Sequence, residues 1–159
     1  MATFSANGLD SGSVKEMLSE LKKYRTQTKR SVKKIAERLA TMGAVRASLE
    51  FARAPYNGTN DVSISVRSVK DGWLLRASGQ SVLFIEYGSG VTYGYGHPEP
   101  MGYGPGTYNP SSPKWNDPNG WWYAHGKHTY GNPPAAAMYH AEQDIRREMQ
   151  TAANEVLDK

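Results

Sequence analysis

Histidine, serine and acidic side chains are the residues of this chain that could do chemistry, and their spacing limits what that chemistry is. His125 and His128 lie three residues apart. Such a pair can begin a metal site, but a zinc site takes at least a third protein ligand. The segment around them reads as a hairpin, and no third ligand is near in sequence. We therefore favour two exposed polar residues over a metal pair.

The patterns of common enzymes are missing from the sequence. There is no nucleophile elbow, no helical His-Glu-x-x-His and no phosphate-binding Gly-x-x-x-x-Gly-Lys-Ser/Thr loop. There is also no cysteine, which excludes a disulfide framework, thiolate metal ligands and a cysteine nucleophile. None of these patterns points to an enzyme, and we predict no metal and no cofactor.

Basic side chains offer a different chemistry, the neutralisation of phosphates. The net charge of the 159-residue chain is +4, yet residues 1–53 hold 11 Lys or Arg against 5 Asp or Glu. The basic stripe in this region could contact nucleic acid, or it could be a solvated face that meets acidic neighbours. Both interpretations stay open. The candidate contacts with a DNA channel or an acidic partner are Lys22, Lys23, Lys29, Arg30, Lys33 and Lys34.

Aromatic side chains crowd into a segment rich in glycine, proline and asparagine, over residues 88–120. The chain has ten Tyr and four Trp but three Phe, so most of its rings carry a polar group and suit interfaces. They could stack on sugars or bases. Packing against another protein chain is favoured, because dense glycine works against a preformed stacking platform. We interpret 91–130 as an inserted loop and hairpin.

A long helix must position the basic residues. Ser13 and Glu16 form a capping box, and apolar residues recur at steps of three and four from there to Met42. Gly43 offers a stop or a kink. Residues 44–52 fit either a strand or a resumed helix, and we favour the helix because alanine is frequent and the same spacing continues.

After a turn at 55–60 the apolar period changes to two, which indicates strands. We predict a three-stranded antiparallel meander over 62–67, 73–77 and 82–85, then a closing hairpin within 121–130. Two prolines then precede a terminal helix with an apolar face from Ala137 to Val156, including Met149. The fold class is α+β, with the two helices packed on a small sheet in one domain, 1–159. No leader and no membrane span are expected.

Three motifs together resemble a known family. They are the turn from Tyr56 to Val62, the segment Leu83 to Gly90 that reads LFIEYGSG, and Gly131 to Pro134, which leads through Met138 into the last helix. This combination resembles the tail-completion, or head-to-tail joining, proteins of long-tailed phages, typified by the gene-product-ten neck protein of phage HK-ninety-seven. The likeness covers most of the chain in order, apart from the long insertion at 91–130.

The resemblance implies a structural virion protein, not an enzyme, that forms a homo-oligomeric ring, commonly of six subunits, at the head-tail junction. Its implied partners are the adjacent connector or adaptor and the tail tube or tail terminator, with double-stranded DNA in the lumen, after assembly in the bacterial host cytoplasm. The alternatives are a nucleic-acid-binding accessory protein that uses the basic helix and, third, a carbohydrate-binding module that uses the aromatic loop.

The family likeness also indicates which residues meet a neighbouring subunit. The predicted third strand leaves the core after Ile85 and would reach a subunit boundary at Glu86. That carboxylate would pair with a Lys or Arg of the neighbour, or find its partners within its own chain, and both alternatives stay open. The predicted interface residues are Phe84, Glu86, Tyr87, Gly88, Gly90, Tyr93, Tyr95, Trp121 and Trp122.

Overall fold

The computed structural model describes residues 11–90, 96–99, 117–122 and 126–157. The predicted α+β class is confirmed: a long N-terminal helix and a C-terminal helix accompany a small two-stranded antiparallel sheet. The elements in chain order are α1 (Ser11–Arg53), β1 (Ser63–Val69), β2 (Gly72–Ser78), α2 (Val82–Glu86), β3 (Trp121–Trp122), β4 (His128–Thr129) and α3 (Ala137–Leu157).

Helix α1 is a single continuous helix. Its 43 residues span roughly 64 Å at about 1.5 Å per residue. The favoured helix over 44–52 is confirmed, but the predicted stop or kink at Gly43 is wrong. A Cβ at Gly43 would lie 2.5 Å from Ile145 Cδ1 of α3 and 3.2 Å from Leu75 Cδ2 of β2. The glycine is therefore a packing site at which α1, α3 and the sheet meet.

The first two predicted strands form the expected hairpin. Ser63 pairs with Ser78 and Val69 pairs with Gly72, so the turn lies at Lys70 and Asp71. Side chains on one face of the hairpin, including Ile64 and Leu75, pack against the buried core. The alternation of apolar and polar residues that predicted the strands therefore matches the face that α1 covers.

The predicted third strand is wrong, because residues 82–86 form the short helix α2. Its backbone shows the helical pattern, with the Ile85 N–H donating to the Ser81 carbonyl at 3.0 Å. Asp61 holds the chain at the start of this helix: its carboxylate accepts the N–H of Gln80 at 2.7 Å and that of Ser81 at 2.9 Å. A short apolar run fits a strand or a buried helical turn equally well.

The last helix is present as predicted, and the closing hairpin is present with shorter strands. Strands β3 and β4 have two residues each, with Trp121 opposite Thr129. Helix α3 buries Ala137 and Ala141 completely, whereas Met149, predicted on the buried face, is 54% exposed. The buried core joins the C-terminal part of α1 to α2 and α3, through Ala47, Phe51, Ile85, Ala137 and Ala141.

The N-terminal part of α1 extends past this core. Helix α3 runs antiparallel to α1, because Arg46 pairs with Asp144 and Arg38 with Glu155. The far end of α3 therefore reaches α1 only near residue 38. All side chains of residues 18–27 are exposed. We call residues 12–27 the rod.

Candidate functional site

Glu86, the centre of the predicted subunit boundary, is buried and has its partners within its own chain. Oε1 of its carboxylate accepts the N–H groups of Met138 at 3.1 Å and Tyr139 at 3.2 Å, and Oε2 lies 3.0 Å from the Met138 N–H. These donors belong to the first turn of α3, where N–H groups lack helical partners and a negative charge is favoured. The pairing of Glu86 with a neighbour's Lys or Arg is therefore replaced by a cap on α3.

His97 completes the surroundings of Glu86. Its Nε2 lies 3.0 Å from Glu86 Oε1, and both side chains are buried. Nδ1 lies 2.9 Å from the Glu99 backbone nitrogen and 2.8 Å from the Glu99 carbonyl oxygen, so the tautomer of the ring decides which nitrogen donates. The rings of Tyr87 and Tyr139 flank the imidazole, with centroids 4.5 Å and 5.6 Å away. The cluster fixes residues 96–99 of the predicted insertion against the start of α3.

Asn132 joins the segment after α2 to the segment before α3. Its backbone pairs with that of Ser89 through two hydrogen bonds of 2.9 Å. Its side-chain amide donates to the Phe84 carbonyl at 2.9 Å, and the residue is 2% exposed. Beside it, a Cβ at Gly88 would lie 2.8 Å from Pro134 N, and one at Gly90 2.3 Å from the Tyr130 carbonyl oxygen. Both glycines thus permit close contacts within the chain.

The aromatic residues around the β3–β4 hairpin divide between core and surface. Trp121 is buried, whereas Trp122 is 64% exposed and Tyr130 is 52% exposed. The ring of His128 lies between those of Trp122 and Tyr130, with centroid distances of 4.8 Å and 4.9 Å. These three residues form what we call the aromatic row, a solvent-facing surface. Tyr93, Tyr95 and His125 lie outside the described residues.

The predicted basic residues lie on α1 as two parallel rows. Lys22, Lys29 and Lys33 follow steps of seven and four, and the same steps separate the members of the second row. Such steps place residues on one face of a helix. Among the described residues, none of the six forms an ion pair. The second row consists of Lys23, Arg30 and Lys34.

An apolar seam runs along the rod beside the basic rows. It continues the three-four spacing of the buried part of α1, but its members face solvent: Val14 is 38% exposed, Leu18 48% and Leu21 38%. An amphipathic helix normally turns such a stripe to a protein core. Here the described parts of the chain leave it uncovered, so the rod presents both an apolar and a cationic face.

In the described ranges of the chain, no three His, Asp or Glu side chains come together in a way that could hold a metal ion. The helices of the same ranges lack the combination of length and apolar character that would let one cross a bilayer. The surfaces that the structure does supply are the apolar seam, the basic rows and the aromatic row.

Comparison of the chain with protein-family models, with curated proteins and with solved structures found no match. A functional proposal for this chain therefore rests on its own residues and on the resemblance of its motifs.

Three residues that organise this region were not singled out from the sequence. His97 lies 11 residues from Glu86 and 42 residues before Tyr139, within a segment dominated by glycine and tyrosine. Asp61 is 20 residues from Ser81. The role of Asn132 depends on partners that are 43 and 48 positions away. No local spacing rule links such residues, whereas helical and strand periodicities are local.

Proposed function

We propose that this chain is a structural subunit of a tailed-phage virion, which assembles as a homo-oligomeric ring at the junction of head and tail. The apolar seam of the rod is the observation that carries the proposal. A helix of this length beyond the core gains little from packing within its own chain, and isolated helices of about 15 residues are marginal in water. Cover from another chain would bury Val14, Leu18 and Leu21 and stabilise the rod.

A closed ring needs two different patches on each subunit, because head-to-tail contacts join unlike surfaces. The apolar seam and the aromatic row are two such surfaces, on separate elements of the chain. Exposed tryptophan and tyrosine are enriched at protein interfaces. In this proposal the ring joins the connector to the tail tube or tail terminator around the DNA channel. It has six subunits, the number common in the family that the motifs resemble, and it catalyses no reaction.

The motifs LFIEYGSG and GNPP, which carry the family resemblance, acquire a structural explanation in this fold. Glu86 caps α3, and Gly88 and Asn132 allow the two motifs to lie side by side. Their shared function is to close the fold around the base of the insertion. The resemblance therefore supports the proposal through a common scaffold, while the outer surfaces would make the contacts.

The mass of the purified full chain, measured over a range of concentrations, tests self-association directly. A double variant, Leu18→Asp with Leu21→Asp, should lower the oligomer population while the melting temperature of the core stays close to that of the wild type. The matched control is Ser19→Asp with Gln27→Asp, which adds the same two negative charges at exposed positions on the side of the rod away from the seam. Equal loss of assembly in both double variants would show that the seam is not the contact.

The position in the particle tests the rest of the proposal. Labelled protein should be found by electron microscopy between capsid and tail, after assembly in the bacterial host cytoplasm. Location anywhere else in a mature particle, or a turnover reaction of the purified protein, would overturn it.

Nucleic-acid binding is the second candidate function, because six cations of α1 have no ion-pair partner among the described residues. A solvated face needs no such arrangement in two rows, whereas a polyanion can bind along them. The two candidates differ in their response to salt, because phosphate contacts weaken steeply as the salt concentration rises.

A further inference from the structure

A cleft separates the middle of α1 from the tip of the β1–β2 hairpin. Its volume is about 400 Å³, and its walls come from Val32 and Ala36 on the helix and from Val69 and Trp73 on the hairpin. Two of these walls are open to solvent, since Val32 is 54% exposed and Val69 is 39% exposed. The cleft is thus a concave apolar surface large enough for one or two side chains of another molecule.

Cations surround this apolar floor. Lys29 and Lys33 line it from α1 and Lys70 lines it from the hairpin, against a single carboxylate, that of Asp71. Within the described residues, none of the three lysines forms an ion pair. The cleft therefore has an excess of positive charge around an apolar centre.

Trp73 adds an unsatisfied donor. Its indole Nε1 is buried and has no hydrogen-bond acceptor among the described residues. Buried N–H groups nearly always have a partner, and this one belongs to a residue that lines the cleft. The carboxylates of a ligand would be drawn to the neighbouring lysines.

We propose that this cleft is the docking site for an acidic polypeptide segment of a partner protein, which inserts an apolar side chain between Val32 and Trp73. Carboxylates on either side of the inserted residue would contact Lys29, Lys33 and Lys70. Charge complementarity selects this occupant: a second copy of the rod would bring further lysines, and a phosphate backbone would gain nothing from the apolar walls. The inference goes beyond ring assembly and does not depend on it.

The test uses the full-length protein labelled with ¹⁵N and three short blocked peptides. One has the sequence Asp-Glu-Leu-Asp-Glu, the second replaces its leucine with serine, and the third replaces its acids with lysine. The Trp73 indole N–H is one of four such signals in the chain and reports directly on the cleft. We expect the first peptide to shift it in a saturable way, the second to bind several-fold more weakly and the third to leave it unchanged.

Variants of neighbouring lysines localise the effect. Lys33→Gln should lower the affinity for the leucine peptide by roughly two- to fivefold, the range expected for loss of one exposed ion pair. Lys34→Gln is the matched control, because the next residue of a helix points about 100° away and does not line the cleft. Val32→Ser, at an exposed position, should lower the affinity for the leucine peptide but not the affinity for the serine peptide.

Three outcomes would overturn the proposal. The first is no shift of the Trp73 signal by the leucine peptide, and the second is equal binding of the leucine and serine peptides, which would leave only general attraction of anions. The third is a shift of the Trp73 signal by a short DNA duplex that is as large as the shift by the leucine peptide. That result would assign the cleft to nucleic acid. Because the isolated chain is used, failure here leaves the ring proposal standing, and failure of the ring leaves this result unaffected.

Discussion

Nε2 of His97 lies 3.0 Å from Oε1 of Glu86, and the two buried side chains hold the insertion against the start of α3. The same carboxylate accepts two backbone N–H groups of α3. One side chain thus connects three parts of the chain: the end of α2, the segment 96–99 and α3. Glu86 therefore contributes to the stability of the folded chain itself.

Glu86→Ala is therefore expected to destabilise the isolated chain by about 3 kcal/mol, since each buried donor left without an acceptor costs about 1–3 kcal/mol. Glu86→Gln should lose less stability, because its amide oxygen can still accept a hydrogen bond from one of these N–H groups. Urea unfolding followed by circular dichroism measures both. Glu37→Ala, at an exposed position of α1, is the control and should stay within about 0.5 kcal/mol of the wild type. Unchanged stability with lost oligomerisation would instead support pairing with a neighbour.

Asp61 gives the fold a specific dependence on acid. The hydroxyl and the N–H of Ser81, followed by the Gln80 N–H, lower the pKa of Asp61 from 3.8 to about 2. Because the folded-state pKa lies below the unfolded one, the contribution of Asp61 is complete above pH 3.8 and is lost as the pH falls through about 2. Replacing the Asp61 carboxylate should therefore lower the stability of the fold at neutral pH and leave it unchanged in strong acid.

Thermal melting of the wild type and of Asp61→Asn across this pH range checks the prediction. The difference in melting temperature should be largest at neutral pH, shrink below pH 3.8 and vanish only below about pH 2. Asp71→Asn is a matched control, because Asp71 lies at the exposed hairpin turn. A difference for Asp61→Asn that persists unchanged in acid would contradict the role of its carboxylate at the entrance to α2.

The helices and the hairpin could be predicted because their signals are local. The three-four spacing that continues past Gly43 indicated one helical face, and the alternation from Val62 to Arg67 indicated a strand. The third strand failed because Val82 to Ile85 is too short for periodicity to decide. Asp61 selects the helical turn there, by holding the N–H groups of Gln80 and Ser81.

The arrangement of the candidate site depended on distant partners. The carboxylate of Glu86 reads as an exposed charge after an apolar run, and only the start of α3, 52 residues later, makes it a buried cap. Gly88 and Gly90 were predicted as interface residues, and the backbone that approaches them belongs to residues 130–134 of the same chain. The apolar seam and the basic residues beside it were readable in advance, since a helix displays its residue types at fixed angles. The exposure of the seam was not, because it depends on how far along α1 the rest of the chain reaches.

Gly43→Ala should reveal how closely α1 and α3 approach. Alanine favours an exposed helix over glycine by about 1 kcal/mol. Here the added Cβ would meet Ile145 Cδ1 at 2.5 Å, and overpacking of this kind costs about 1–3 kcal/mol. We expect a net loss of roughly 1 kcal/mol in the free energy of unfolding. Gly72→Ala, which has open space around its Cβ, should change stability far less.

A double-mutant cycle makes that prediction specific. Ile145→Val removes the Cδ1 methyl that Gly43→Ala would strike, so the double variant should recover part of the stability lost by the single one. Contacting residues in such cycles couple by about 0.5–3 kcal/mol. Strict additivity of the two changes would show that α1 and α3 do not meet at Gly43 in solution.

The basic rows can be tested by the salt dependence of duplex DNA binding. Each phosphate contact that a cation makes contributes about −0.9 to the slope of log affinity against log salt. The row Lys23, Arg30 and Lys34 does not line the cleft to which Lys29 and Lys33 belong, since it lies about 100° round the helix from them. We expect weak, sequence-blind binding in which this outward row makes most of the contacts.

Replacing Lys23, Arg30 and Lys34 together with glutamine should therefore make the salt slope less steep by up to about 3. The matched control replaces Lys22, Lys29 and Lys33 in the same way, which removes the same charge from the same helix and should change the slope less. Fluorescence anisotropy with a labelled duplex at several salt concentrations measures both. Equal changes in the two variants would mean that only net charge attracts DNA. A slope unaffected by either variant would mean that neither row contacts phosphate, and the basic face would then be a solvated surface or a protein contact.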